Sequence, residues 1–280
     1  MRRTAIYTLL LFSLLIEFPS NTFALNFRSS LDSIKVEGRP GQLVNRSFQM
    51  TIDKQEERTY FRADLDDWWH SEDGKQSFYR EPGTPGTPSR SCASWVKLNP
   101  VEAAVDPGGT LIIRVSISIP ADVKPGGYWC ALTVDELPNP MAIRPEGVGM
   151  RFYASISTGI FVYISPVNRS AQIMDVRILP NSATVKLRND GNSPLGIEGR
   201  FEFVKPGDSK PAAVALIPRS TLLPEPINTG ILSAMLPDAS VLPSGRYLVR
   251  AVLDIGVDHY IGAQKEMDVD RGTPSTPQTK

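Results

Sequence analysis

Histidine, cysteine and net charge are all scarce in this sequence. Its 280 residues include two histidines and two cysteines, and 30 Lys and Arg residues balance 30 Asp and Glu residues. A neutral chain without basic runs offers little to nucleic acid, because that binding depends on neutralising phosphates. It also lacks the polybasic patch that anionic membranes attract. We therefore expect no nucleic-acid partner.

Residue patterns for catalysis or metal binding are likewise missing. A hydrolase triad would need His70 or His259, and neither histidine lies in a recognisable motif. Zinc usually takes four Cys or His ligands, and two cysteines with two scattered histidines form no such set. We predict a protein that is not an enzyme and that uses no metal or cofactor.

One stretch, residues 64–74 (DLDDWWHSEDG), is rich in carboxylates. Clustered oxygens suit calcium, but the spacing does not match the twelve-residue calcium loop. The alternative is a strand that ends at Trp68 or Trp69, followed by a hairpin turn at Asp73-Gly74. The hairpin fits the residue pattern better.

No segment is apolar over the ~20 residues that a membrane-spanning helix needs. Residues 5–16 (AIYTLLLFSLLI) come closest; they follow Arg2 and Arg3 and precede small residues at Thr22 and Ala24. This order of basic, apolar and small residues is typical of a cleavable signal peptide. We predict that residues 1–24 are removed on export to the periplasm or cell surface. The mature chain should then have no integral membrane segment.

The two cysteines, Cys92 and Cys130, lie 38 positions apart in the first half of the chain. In an oxidising compartment an even number of cysteines indicates a disulfide. The alternative is a pair of buried thiols that pack as small hydrophobic groups. Export favours the disulfide.

Short strands dominate the pattern of apolar residues. The 24 Pro and 21 Gly residues are spread along the chain, at a spacing that suits turns between strands. Residues 110–119 (TLIIRVSISI) alternate between apolar and mostly polar side chains, as a half-buried strand requires. Similar strands are predicted at residues 47–52, 128–134, 183–187, 197–203, 231–235, 247–255 and 261–269. Runs of strands without helices between them indicate β-sandwiches.

A weak internal repeat points to two such sandwiches. Ile119-Pro120 leads through a Pro-Gly turn to Tyr128, and about 118 residues later Leu236-Pro237 leads through a similar turn to Tyr247. That period fits tandem immunoglobulin-like domains of ~100 residues. We predict an all-β chain with a signal peptide (1–24), an N-terminal domain (25–166), a C-terminal domain (167–270) and a disordered tail (271–280). Residues 81–91 (EPGTPGTPSRS) should form a surface loop.

The strand that ends the first domain has an unusual pattern. Residues 150–164 alternate apolar and mostly polar side chains over an exceptional length, with no Lys or Pro among them. One interpretation is a core strand; the other is an edge that pairs with a partner's strand, since nothing protects it from such pairing. On the second interpretation the candidate partner-binding residues are Ile156, Ile160, Val162 and Ile164.

Several segments, in order, resemble the N-terminal domain of periplasmic pilus-assembly chaperones of the PapD-like superfamily, and looser exported relatives of that family. They are residues 33–42 (SIKVEGRPGQ), Asp67-Trp68 followed by Asp73-Gly74, residues 91–100 (SCASWVKLNP), and residues 105–108 (VDPG) with the strand up to Ile119-Pro120. The resemblance covers about residues 30–165. The second domain is more similar to the C-terminal β-domain of the looser relatives.

The resemblance implies two immunoglobulin-like domains set at an angle, acting without catalysis on exported protein subunits. True pilus chaperones hold a subunit's carboxylate with two cations in the cleft, one of them a Lys on the last strand of the first domain. Here that strand has only Arg151, and Phe161 stands about where the Lys would be. The resemblance therefore supplies no anchor residues. It implies a chaperone-like assembly factor; the alternative is a structural or adhesive module of the cell envelope.

Overall fold

The computed structural model describes residues 27–30, 33–54, 56–79, 89–140, 152–226 and 228–271. The predicted signal peptide, most of the predicted surface loop and nearly all of the predicted tail lie outside these residues. The described chain is built from seventeen β-strands and one short 3₁₀ turn, Ala93–Trp95. None of its helical segments is long and apolar enough to cross a membrane.

The first half of the chain forms a β-sandwich of ten strands. One sheet has the order β1-β3-β8-β6; in the other, β2-β10-β9-β4-β5, a further strand β7 also pairs with β4. The ten strands are β1 (Phe27–Ser29), β2 (Ser33–Gly38), β3 (Leu43–Ile52), β4 (Thr59–His70), β5 (Gln76–Tyr79), β6 (Val96–Asn99), β7 (Glu102–Val105), β8 (Thr110–Ser118), β9 (Gly126–Leu137) and β10 (Ser155–Ile164).

The second half forms a sandwich of seven strands. Its sheets have the orders β11-β12-β15 and β14-β13-β16-β17, and every pairing is antiparallel. The seven strands are β11 (Ala171–Ile178), β12 (Ser182–Asn189), β13 (Leu195–Val204), β14 (Ala213–Leu222), β15 (Thr229–Met235), β16 (Gly245–Asp254) and β17 (Ile261–Val269). The chain is thus all-β with two immunoglobulin-like sandwiches, as the sequence predicts.

Period-two alternation builds both cores. In β8 the apolar residues Leu111, Ile113, Val115 and Ile117 are all buried, and the residues between them point outward. One cluster of buried apolar side chains fills the first sandwich and another fills the second. Each sandwich therefore has a hydrophobic core of its own.

A disulfide joins Cys92 to Cys130 inside the first core, with their Cα atoms 5.3 Å apart. The Cys92 residue precedes the 3₁₀ turn, and Cys130 lies on β9. The bond anchors an irregular segment to a central strand. This agrees with the pairing that the two cysteines and an oxidising compartment predict.

The internal repeat has a structural counterpart in two tyrosines. The hydroxyl of Tyr128 donates to the carbonyl of Lys124 at 3.0 Å, and the hydroxyl of Tyr247 donates to that of Pro243 at 3.1 Å. Each tyrosine is the third residue of its strand, β9 or β16, and comes after a Pro-Gly or Pro-Ser-Gly sequence. The bond resembles the tyrosine corner of immunoglobulin-like folds, and here it holds the same turn in both sandwiches.

The first sandwich has three more described strands than the second. Its opening segment divides between the two sheets: β1 pairs with β3 and β2 pairs with β10. In addition, β5 and β7 pair with opposite ends of the twelve-residue β4. That strand continues to His70, slightly beyond the predicted end, because its last four residues pair with β5.

Candidate functional site

Strand β10 is paired along its whole length on one side only. Its ten residues all pair with β9, but β2 covers only residues 159–164 on the other side. Among the described residues, no strand pairs with that second side of residues 155–158. Within the described part of the chain, the first sandwich therefore has four residues of open sheet edge.

The opening arises from the division of the N-terminal segment between sheets. Residues 27–29 are held by β3 in the opposite sheet, and the chain joins β10 only from Ser33 onward. Because β2 runs parallel to β10, the residues that would cover the start of β10 are those that precede Ser33. The described ones, Phe27 to Ser30, lie on the other sheet.

Backbone groups of two residues at the open edge point away from β9. The carbonyl of Ala154 accepts a hydrogen bond from the amide of Glu136 at 2.8 Å, so this residue faces β9. Successive residues of a strand direct their N–H and C=O groups to opposite sides. The N–H and C=O groups of Ser155 and Ser157 therefore face the open side, where an added strand would bind.

The structure limits the predicted partner-binding strand to its N-terminal part. The side chains of Ile160, Val162 and Ile164 are buried in the first core, and their backbones lie between β9 and β2. Only Ile156 lies beside the open edge, where it is half-buried against the same core. The expected edge over residues 156–164 is thus corrected to 155–158, because parallel pairing with β2 closes the rest.

Apolar surface continues beyond the open edge. The side chain of Phe152, three residues before β10, is 78% exposed. Ser155 and Ser157 are exposed as well, so the edge and its approach present both backbone groups and an aromatic ring. An added strand could use both kinds of contact.

A buried carboxylate is linked to this edge through hydroxyl groups. Asp66 on β4 is buried, and its Oδ2 accepts a hydrogen bond from the Thr133 hydroxyl at 2.6 Å. The Thr133 oxygen is 2.9 Å from the Ser157 hydroxyl. These contacts cross three adjacent strands and hold Ser157 in place at the edge.

The C-terminal end of the open edge leads into a cleft between the two sandwiches. Its volume is about 690 Å³. The first sandwich contributes Lys35, Ser157 and Phe161 to its walls, and the second contributes Arg219 and Leu222. Ser157 therefore belongs both to the edge and to the cleft.

Two cations line this cleft, neither of them on β10. Lys35 is the direct cross-strand neighbour of Phe161, and Arg219 projects from β14. Arg219 also acts on Tyr163: burial raises the pKa of the Tyr163 hydroxyl, and the positive charges of Arg169 and Arg219 oppose that rise. The positive charge of the cleft thus comes from β2, the strand beside β10, and from the second sandwich.

Sequence reasoning did not single out either cation. Lys35 could have been noticed, because it alternates with the buried residues Ile34 and Val36 and so must project from the outer face of β2. Arg219 follows Pro218 in a segment without a clear strand pattern, so nothing local marked it. Its place in the cleft depends on how the two sandwiches pack.

A small aromatic cluster that both sandwiches share lies beside the cleft, and Trp68 and Phe161 of this cluster line it. Trp68, Trp129, Phe161 and Leu223 pack together, and only Leu223 comes from the second sandwich. The indole N–H of Trp129 donates to the carbonyl of Trp68 at 2.8 Å. Trp129 is buried, but on the outer face of its sheet, because its neighbour Cys130 faces the core of the first sandwich.

The residues 64–74 form a hairpin, as their pattern favours. Asp66 and Asp67 are buried in β4, and the turn closes with Gly74 at φ 83°. The carboxylate of Asp73 accepts hydrogen bonds from the Ser71 hydroxyl and from the Lys75 amide. The acidic residues therefore serve the strand and the turn.

Comparison with solved structures finds fimbrial chaperones. The class 5 fimbriae chaperone CfaA is 12% identical, and the match covers 86% of this chain and 99% of that one at a TM-score of 0.48. The structure of the Salmonella enterica pilin SafA in complex with the chaperone SafB also matches. The identity is 9%, the match covers 87% of this chain and 98% of that one, and the TM-score is 0.48. The Pseudomonas aeruginosa chaperone CupB2 matches at 12% identity, with 87% and 100% covered and a TM-score of 0.44.

No protein-family model matches the sequence. No curated protein matches it either.

Proposed function

We propose that this chain is a non-enzymatic, chaperone-like factor that binds exported pilus or surface subunits by strand addition at residues 155–158 of β10. The observation that carries the proposal is the open edge of that strand. Unpaired N–H and C=O groups at a sheet edge bind an extended segment of another chain through backbone hydrogen bonds. An uncovered sheet edge also promotes aggregation, so covering this edge with a partner's strand would protect the protein from aggregation.

The surroundings of the edge support binding of an extended subunit segment. Neither Lys nor Pro interrupts residues 152–164, and Phe152 offers an exposed ring beside the edge. The core holds Ile160 and Val162 on the same strand, so the edge is presented on a rigid support. A rigid edge lowers the entropic cost of binding.

The cleft supplies a place for the end of the bound segment. A strand that runs along residues 155–158 towards the second sandwich reaches the cleft that Lys35 and Arg219 line. Both side chains are exposed, and both are cationic. We infer that they attract a carboxylate of the bound subunit, such as its C-terminus, as the resemblance to pilus chaperones implies.

Export is part of the same proposal. The disulfide between Cys92 and Cys130 supports it, since structural disulfides persist in oxidising compartments such as the periplasm. Residues 1–24 have the pattern of a signal peptide. N-terminal sequencing of protein recovered from the periplasm would locate the cleavage site.

Replacement of Ser157 by proline tests strand addition. Proline removes an N–H group that faces the open side, and an edge position tolerates this change. We expect Ser157→Pro to retain the melting temperature of the wild type within a few degrees. The amount of co-expressed exported subunit recovered with it should fall at least tenfold. The matched control is Ser157→Ala, which removes the same hydroxyl but keeps the N–H group.

The measurement is quantitative pull-down of tagged chain from periplasmic extract, with amide exchange of residues 155–158 compared with and without bound subunit. Strand addition slows exchange at Ser157 in the wild type and in Ser157→Ala. Equal recovery of subunits by a folded Ser157→Pro variant would contradict the proposal. Recovery without slowed exchange at Ser157 would place the binding surface elsewhere.

A further inference from the structure

A buried histidine connects the two sandwiches. His70 ends β4 of the first sandwich and is 3% exposed. Its Nε2 atom accepts a hydrogen bond from the backbone amide of Leu223, in the second sandwich, at 3.0 Å. Its Nδ1 atom is 3.0 Å from the carbonyl oxygen of Ser71.

These two contacts define the protonation state of the ring. An amide N–H can only donate, so Nε2 must carry no proton; a carbonyl can only accept, so Nδ1 must carry one. The neutral imidazole satisfies both contacts. The imidazolium ion would place an Nε2–H group directly against the Leu223 N–H group, and both donors would then be buried without an acceptor.

The bond belongs to a short segment that holds the sandwiches together. Two residues beyond His70, the carbonyl of Glu72 accepts a hydrogen bond from the amide of Ile231 at 2.7 Å. The Glu72 carboxylate pairs with Lys186 of β12 at 2.5 Å. Leu223 itself packs into the aromatic cluster beside the cleft. The Glu72 carboxylate also interacts with the side chain of Thr229, so His70 and Glu72 together make four polar links to the second sandwich.

Several charged groups near His70 form ion pairs or hydrogen bonds of their own. Glu72 is paired with Lys186, and Asp73 is bonded within its own turn. Asp67 on β4 accepts a hydrogen bond from the Ser91 hydroxyl. Other charged or titratable groups lie along the cleft or on the elements next to His70. They are Lys35 on β2, Asp66 on β4, Lys75 in the turn before β5, Tyr163 on β10 and Arg219 on β14.

Burial lowers the pKa of His70, and the hydrogen bond to the Ser71 carbonyl opposes that change only in part. A histidine with a lowered pKa in the folded state stabilises that state above its unfolded pKa of about 6.5. The stabilisation is lost progressively as the pH falls from about 6.5 towards the lowered value.

We propose that His70 is a pH-sensitive clamp between the two sandwiches: the neutral ring holds the second sandwich against the first, and protonation in mildly acidic surroundings releases this link and opens the cleft. The clamp depends on geometry that spans both sandwiches and not on the identity of any bound partner. It therefore stands or falls separately from strand addition at β10.

Amide exchange measured by NMR on the full-length mature chain, from pH 7.5 to pH 5.0, tests the clamp. The probes are the amides of Leu223 and Ile231, which donate across the interface; the reference is the amide of Phe201, on a central strand of the second sandwich. After correction for intrinsic exchange rates, protection of the two interface amides should fall by up to about tenfold per pH unit below about pH 6.5. Phe201 exchanges only through a larger opening, so its protection should remain above that of the two interface amides at every pH.

The sequence provides a matched control, because His259 is the only other histidine and is exposed beside Asp258. We expect His259→Gln to retain the pH dependence and His70→Gln to remove it, since a glutamine oxygen can accept the Leu223 bond without titrating. A wild type without pH dependence at Leu223 would overturn the clamp. So would a folded His70→Gln variant that retains the full slope, or interface amides that are as well protected as Phe201 at every pH, which indicates that they exchange only by global unfolding.

If His70→Gln fails to fold, the wild type and His259→Gln together test the proposal. The ring of His70 should then titrate below 6.5 by NMR, and the slope at Leu223 should persist in His259→Gln. Titration of His70 at or above 6.5, or loss of the slope in His259→Gln, would overturn the proposal.

Discussion

Truncation of the Leu223 side chain should weaken the energetic coupling between the two sandwiches. This side chain is 1% exposed, and it is the single residue that the second sandwich contributes to the cluster of Trp68, Trp129 and Phe161. Leu223→Ala removes three carbon atoms from that cluster. At about 0.8 kcal/mol per buried methylene the lost transfer free energy is about 2.4 kcal/mol, and the residual cavity raises the cost to about 3–4 kcal/mol.

The cost should appear in the coupling between the sandwiches, because the core of each is a separate cluster. All four tryptophans lie between positions 68 and 129, so tryptophan fluorescence reports the first sandwich and the interface. In urea, Leu223→Ala should show a fluorescence change that precedes the loss of β-sheet circular dichroism. The wild type should show the two changes closer together.

Leu216 provides the control for this experiment. It lies on β14 of the same sandwich but is 73% exposed, so Leu216→Ala should change stability by less than about 0.5 kcal/mol. If Leu223→Ala destabilises the protein no more than Leu216→Ala does, the shared cluster does not couple the sandwiches. The reasoning from burial would then be refuted.

Two further changes test the interface and the first core. At Gly127, whose amide donates to the Asn192 carbonyl at 2.8 Å, an added Cβ would lie 2.8 Å from Cβ of Ser193. Gly127→Ala should therefore lower the melting temperature by several degrees, whereas Gly196→Ala, with ordinary contacts to Arg219, should change it little; similar melting temperatures would contradict this. Replacing both Cys92 and Cys130 by Ala should cost about 2–4 kcal/mol in denaturant unfolding, since a 38-residue loop is no longer closed; an unchanged midpoint would argue against a stabilising disulfide.

Much of this fold follows from local patterns. Alternation in residues 110–119 predicts β8 and its buried face, and residues 261–269 predict β17 with its observed bounds. Side-chain direction in a strand has period two wherever that strand lies, so local sequence suffices. The cysteine pair and the two tyrosine turns could also be recognised, because each depends on residue type and spacing.

The tertiary structure decided which part of β10 is open. Alternation alone could not say that β2 covers residues 159–164 and stops there, since that pairing joins segments more than 120 positions apart. It also placed Lys35 beside Phe161, and so supplied a cation that β10 itself lacks. The pairing of distant strands is selected by the packing of the whole core and not by either strand.

The contacts between the sandwiches were beyond local reasoning for the same reason. In the sequence His70 is one residue of an acidic hairpin, and its partner Leu223 lies 153 positions away. Trp129 shows the point most simply: its strand predicts burial, but only the second sandwich determines what covers its outer face. The sequence alone determined the strands, their faces and the disulfide; packing between distant strands and between the two sandwiches decided the open edge, the cleft and the buried histidine.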